Sequence, residues 1–180
     1  MSRLPLVQTP AHSAAKDTLD RIHRAFGATP NMFRTVANSP AALASMWGSF
    51  TALSSGQLGA AIGERIAMAV AQRNACDYCL AAHTAIGTGA GIPADELARA
   101  RSGRSNDPRA DAAVRFAVRL VEARGQVSAD EVGALRTAGF SDGEIAEVVA
   151  HVALNLFTNY VNIAFDVPLD FPAAPAHPAD

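Results

Sequence analysis

Apolar residues along the chain recur at three- and four-residue intervals and never alternate over a sustained run, so the pattern predicts helices and no strands. Ile62, Ile66, Ala69 and Val70 share the apolar face of a helix expected over residues 57–73. Start and stop signals divide the rest. An irregular entry through Pro5, Pro10 and His12 leads to a short helix over residues 16–26, closed by Gly27. Thr29-Pro30-Asn31-Met32-Phe33 reads as a turn into a second short helix. Ser39-Pro40 is an N-cap with proline at the first helical position, opening a helix towards Leu53 that Ser54-Ser55-Gly56 ends. Asn74-Ala75 marks a break, and a new helix begins near Cys76 and runs to Gly89, where Gly91 and Pro93 interrupt it. Asp107-Pro108 caps a helix that ends at Arg124-Gly125. Ser128 with Glu131, and Ser141 with Glu144, fit the capping box. The last helix, from Asp142 to about Phe165, is long and apolar until Val167-Pro168 stops it. The expected fold is all-α, a compact helical bundle in a single domain over residues 1–180. Residues 1–15 form its irregular N-terminal entry and residues 168–180 its C-terminal tail.

Composition narrows the function. A chain of 180 residues, 49% hydrophobic and 18% charged, buries a sizeable core. Its net charge of −2 supplies no basic footprint for nucleic acid. The apolar runs are broken well short of a membrane span, so no membrane partner is expected. Met1-Ser2-Arg3-Leu4-Pro5 lacks the apolar run of an export signal, so the expected compartment is the reducing cytoplasm. No phosphate loop or dinucleotide fingerprint occurs, so no cofactor is expected and nicotinamide electrons would arrive through a partner.

The chain has two cysteines, three residues apart. A disulfide closing so short a loop removes little unfolded-state entropy, so the pair points to redox or metal chemistry and not to a staple. Cys76, Cys79 and His83 lie at i, i+3 and i+7 and project from nearly one helix face. In the first turn, unpaired amides and the helix dipole favour a thiolate on Cys76. His83, one turn beyond Cys79, is placed to take or give a proton. Glu64 lies twelve residues before Cys76, and a break at Asn74 would fold its carboxylate back over the thiols. Tyr78 is a packing residue by type, or a phenol donating to a thiolate. His151, Asn155, Asn159 and Asn162 form a polar stripe on the last helix, which must face a pocket, another helix or a subunit contact. The sharper reading makes His151 a pocket wall near the thiols. Two rivals stay open. Cys76, Cys79 and His83 with a fourth ligand such as His151 could hold zinc, although the second short-spaced ligand pair of structural sites is missing and no metal is expected. The dithiol could also act as a redox sensor without turnover.

The run Glu64, Cys76, Tyr78, Cys79 and His83 resembles the active-site signature of the alkylhydroperoxidase D-like and carboxymuconolactone decarboxylase-like superfamily. Thr29-Pro30-Asn31-Met32-Phe33-Arg34 is similar to the opening of its peroxidase-related branch, and the segment from His151 to Tyr160 to its closing helix; together they extend from about residue 20 to residue 172. The resemblance implies an all-α fold and reduction of organic or hydrogen peroxides by a cysteine pair. It makes Cys79 the peroxidatic nucleophile, Cys76 the resolving thiol, and Glu64 and His83 parts of a proton relay. It also implies an external dithiol reductant, lipoyl or thioredoxin-like, and a homo-oligomer, trimer or hexamer. One position departs from the best-studied branch, which carries a histidine where this chain has Tyr78; a phenol does not carry protons at neutral pH as imidazole does. Ring-opening lactone decarboxylation, the lyase chemistry of the superfamily, has no need of two thiols, so the dithiol resembles the peroxidase side.

Overall fold

A computed structural model describes residues 2–8 and 13–176; Pro10 and His12 of the expected entry, and residues 177–180 of the expected tail, lie outside them. Among the described residues the chain forms nine α-helices and no strand. They are α1 (Ser13–Phe26), α2 (Asn31–Val36), α3 (Pro40–Ser54), α4 (Ala60–Arg73), α5 (Asp77–Gly89), α6 (Ala94–Arg101), α7 (Pro108–Glu122), α8 (Ala129–Thr137) and α9 (Asp142–Ala164).

The predicted punctuation recurs as hydrogen bonds. Ser39 Oγ accepts from the Ala42 amide, and the Asp107 carboxylate accepts from the amides of Arg109 and Ala110. Both capping boxes close, Ser128 with Glu131 and Ser141 with Glu144. Two boundaries differ, and one helix is added. Helix α1 starts at Ser13, earlier than residue 16, with the Thr18 hydroxyl bonded back to the Ala14 carbonyl. Helix α4 starts at Ala60 and not near residue 57, because the Glu147 carboxylate of α9 takes the amides of Gln57 (3.0 Å) and Leu58 (2.8 Å). Helix α6 falls where Gly91 and Pro93 were read only as an interruption; its eight residues carry too weak an apolar period to stand out.

Helix α4 is the hub, packed against α5, α6, α7 and α9. Small residues at Gly63, Ala67, Ala69 and Ala71 let its neighbours approach on several sides. The core divides in two around it. One cluster joins α4, α7, α8 and the first half of α9 through Ile66, Val70, Ala117, Leu135 and Val148. The other joins α1, α2 and α3 to the start of α5 and the end of α9, and contains Ile22, Phe33, Leu43, Met46 and both cysteines. Complete burial of Leu43 and Met46 is worth about 1.5–3 kcal/mol each. No helix among the described residues is long and apolar enough to cross a membrane.

The C-terminal segment beyond α9 is irregular but docked. The Asn31 amide donates to Asp170 Oδ2 at 2.7 Å, Phe171 stands edge-on to Tyr78, and Arg101 donates to the Pro175 carbonyl at 2.6 Å. The segment thereby covers the end of the bundle where the cysteines lie.

Candidate active site

The dithiol is presented by a tight turn between α4 and α5. Helix α4 ends with Asn74, and Ala75 adopts a left-handed conformation at φ 52°. The Ala75 amide then bonds to the Gln72 carbonyl and the Cys76 amide to the Ala71 carbonyl, a Schellman closure with alanine where glycine is usual. The Asn74 amide group ties this turn to α9 by donating to Asn159 Oδ1 at 2.8 Å. Reversal at Asn74 makes α4 and α5 neighbours, and Glu64 comes to lie against His83: the carboxylate Oε2 accepts from Nδ1 at 2.8 Å.

Cys76 is the N-cap of α5 and not part of its first turn; its sulfur accepts from the Cys79 amide at 3.3 Å. Both thiols are reduced and buried. They divide the anion in favour of Cys79. The Cys76 thiol donates towards the Cys79 sulfur, and Asn162 Nδ2 donates to it at 3.2 Å; these hold the Cys79 thiol below its ordinary range against the opposing effect of burial. That same bond to Cys79, together with burial, pushes the Cys76 thiol up. The dipole argument that favoured a Cys76 thiolate is therefore overridden: one capping amide is outweighed by the donors that α9 and Cys76 itself aim at Cys79.

Burial pushes the His83 imidazole down, but the Glu64 carboxylate, by charge and hydrogen bond, more than reverses this and leaves it raised. The Tyr78 hydroxyl does not face the thiolate. It donates to Asp170 Oδ2 at 2.5 Å and accepts from the Met32 amide at 3.4 Å. Burial first, and then the Asp170 carboxylate, push this phenol up, so it stays neutral.

His83 stands between two pockets. The first, about 50 Å³, is bounded by Phe26, Phe33, Phe50, Ile86 and Phe171, and reaches Cys79, Tyr78 and Asn162. Its aromatic wall is pre-packed, with Phe33 in edge contact with Trp47 (6.0 Å) and Phe50 (5.5 Å). The second, about 170 Å³, is lined by Glu64, His83, His151 and Asn155. His151 reaches this pocket because Gly63 has no side chain: a Cβ there would come within 2.9 Å of the ring. Burial and the His83 charge hold the His151 imidazole down, against Glu147 and Glu64. Among the described residues no three histidine, cysteine, aspartate or glutamate side chains converge as a metal site would require.

Cys76, Cys79, His83 and Glu64 are thus brought together, Tyr78 and His151 flank them, and Asn162 joins them. The polar stripe was legible along α9, but its partner was not. Its register to Cys79 depends on how α9 crosses α5, which no local spacing encodes. Asp170 and Phe171 also escaped the sequence reading, being placed in the tail.

Residues 37–123 match the carboxymuconolactone decarboxylase family model. No curated protein matches the chain significantly. Three solved structures share its fold. A peroxidase-related protein with an alkylhydroperoxidase AhpD core, from Ralstonia eutropha JMP134, superposes with a TM-score of 0.84 at 24% identity, over 94% of this chain and 92% of that one. A peroxidase-related protein from Silicibacter sp. TM1040 gives 0.81 at 22% identity, over 93% and 91%. The debrominase Bmp8 gives 0.78 at 20% identity, over 93% and 91%. Around the Glu64, Cys76, Cys79 and His83 constellation, the chain is thus similar to the carboxymuconolactone decarboxylase family over residues 37–123, and it shares the fold of proteins with an alkylhydroperoxidase D core.

Proposed function

We propose that this protein is a thiol-dependent peroxidase that reduces an organic or hydrogen peroxide through a cycle of Cys79 and Cys76. The observation that carries the reading is the polarised dithiol at an apolar pocket, with the Cys79 thiol held down and the His83 imidazole raised by Glu64. The Cys79 thiolate attacks the terminal oxygen of the hydroperoxide and the O–O bond breaks. The alkoxide leaves and takes a proton from His83, and Cys79 keeps the terminal oxygen as a sulfenic acid. The Cys76 sulfur then displaces that hydroxyl, its own proton completing the water that departs, and a Cys76–Cys79 disulfide forms. An external dithiol returns both cysteines to thiols. Tyr78, neutral and engaged with Asp170, takes no proton in this scheme. The apolar wall favours an organic peroxide whose hydrocarbon part lies among Phe26, Phe50 and Phe171.

The test is peroxide consumption by the reduced protein with excess dithiol. Cys79→Ser should abolish turnover. Cys76→Ser should permit one oxidation, trapped as a sulfenic acid by a 1,3-diketone probe. A wild type that forms a disulfide with peroxide yet never turns over with any dithiol would make the pair a redox switch.

The same pocket supports a second reading, reductive dehalogenation of a small haloaromatic, because its wall is apolar and the fold is shared with a debrominase. Cys79 would take the halogen as a sulfenyl halide while the ring gains a proton, and Cys76 would expel halide to give the same disulfide. Halide release dependent on Cys79, in protein inert to peroxides, would select it.

A further inference from the structure

Two buried side-chain atoms have no hydrogen-bond partner among the described residues: Asn159 Nδ2, a donor, and Asn162 Oδ1, an acceptor. Buried polar groups are almost always paired, so two orphans on one helix face require an explanation. Both residues sit beside the reacting sulfur. Asn162, 3% exposed, lines the apolar pocket and donates from Nδ2 to Cys79 Sγ (3.2 Å) and to Met32 Sδ (3.4 Å). Both sulfurs accept from the amide nitrogen, and the thioether of Met32 has no hydrogen to donate, so the nitrogen faces them and the oxygen is turned away. Asn159 is completely buried, and its orientation is fixed because Oδ1 accepts from Asn74. The two residues are three apart on α9 and so lie on one face.

An unpaired donor and an unpaired acceptor on one helix face match a hydroxyl group, which accepts at oxygen and donates its hydrogen. We propose that Asn159 and Asn162 form a binding site for the hydroxyl end of the substrate: Asn159 Nδ2 donates to, and Asn162 Oδ1 accepts from, the terminal O–H of a hydroperoxide, and afterwards the O–H of the Cys79 sulfenic acid. The inference rests on the peroxidase reading and narrows its substrate to hydroperoxides. The terminal oxygen is then held beside Cys79 Sγ while the S–O bond forms and the O–O bond breaks. The alkoxide still takes its proton from His83. When Cys76 attacks, the donor on Asn159 steadies the departing oxygen. The charged and titratable groups near the sulfur are Cys76 and His83 of the α5 region, with Glu64 of α4 behind His83 and Asp170 behind Tyr78. Helix α9 faces the sulfur with uncharged amides, its His151 lying against Gly63.

The experiment compares two single-turnover rates of Cys79: oxidation by tert-butyl hydroperoxide, and alkylation by iodoacetamide, which needs the thiolate but delivers no hydroxyl. For Asn159→Leu the oxidation rate should fall at least tenfold further than the alkylation rate. Asn159→Ser, smaller and better tolerated, carries the same expectation. Asn74→Ala breaks the same tie to the turn but keeps the Asn159 donor, and should change the ratio less than twofold. Asn162→Leu should slow both reactions at least tenfold, since it also removes a donor to the sulfur. If Asn159 variants lose both rates by one factor, or lose neither, the hydroxyl site is overturned while the peroxidase reading stands. If the wild-type thiolate alkylates but no hydroperoxide oxidises it, the peroxidase reading falls and the hydroxyl site with it.

Discussion

Glu64 Oε2 accepts a hydrogen bond from His83 Nδ1 at 2.8 Å across the turn that joins α4 to α5. The bond fixes the proton on Nδ1 and turns Nε2 away from the carboxylate. The two side chains are mostly buried, 13% exposed for His83 and 19% for Glu64, so their interaction is poorly screened.

Glu64→Gln keeps the shape of this contact and removes its charge. His83 is raised above 6.5 in the fold, so its stabilising contribution is fully present below that value and is lost as pH rises through the folded value. The variant should therefore be destabilised by about 2 kcal/mol near pH 6, the scale of a charged hydrogen bond, with the difference shrinking at alkaline pH. Urea unfolding at pH 6 and pH 9 checks the sign; a deficit that grows with pH would refute it. Peroxide turnover should fall about 100-fold, as for loss of a positioned proton donor.

His151 faces the same pocket with the opposite sign. Its imidazole is held below 6.5, so it costs stability as pH falls through the ordinary histidine value, where the unfolded chain binds a proton and the folded one resists it. His151→Ala should lose less stability than the wild type between pH 7 and pH 5. Thermal melts across that range give the comparison, and parallel curves would show that His151 titrates as a free imidazole.

Asp170 holds both the Tyr78 hydroxyl and the Asn31 amide. Asp170→Ala leaves the buried Tyr78 hydroxyl short of its acceptor and should cost about 1–3 kcal/mol. It should also release Phe171 from the pocket wall, so that a bulky disulfide reagent labels Cys79 several times faster than in the wild type. Unchanged labelling would mean that the segment does not cover the thiols in solution.

Ala75 occupies the left-handed region at φ 52°, where an alanine costs about 1 kcal/mol or more. Ala75→Gly removes that strain, and the greater freedom of glycine in the unfolded chain returns about half. A net gain of about 0.5 kcal/mol corresponds to a rise of about 1–2 °C in Tm for a chain of this length. A drop in Tm would show that the alanine methyl packs usefully at the turn.

Much of the architecture was legible because its signals are local. Ser39-Pro40, Asp107-Pro108 and the two capping boxes each satisfy amides within three residues, so spacing alone reveals them. The start of α4 was misplaced for the converse reason: the groups that take the Gln57 and Leu58 amides belong to Glu147, some ninety residues away. The polar stripe of α9 was visible as a periodicity, but nothing in that periodicity says that Asn162 touches Cys79.

The sequence by itself determined the all-helical fold and the approach of Cys76, Cys79 and His83 on one helix, since a 3.6-residue period places side chains without outside help. It also determined that a break at Asn74 would return Glu64 towards them. Only the tertiary structure decided which thiol is the more acidic, where the Tyr78 hydroxyl points and what covers the pocket. Those outcomes depend on desolvation and on donors brought from α9 and the C-terminal segment. Both are properties of the packed interior, where a neighbour eighty or ninety residues distant outweighs the local helix dipole.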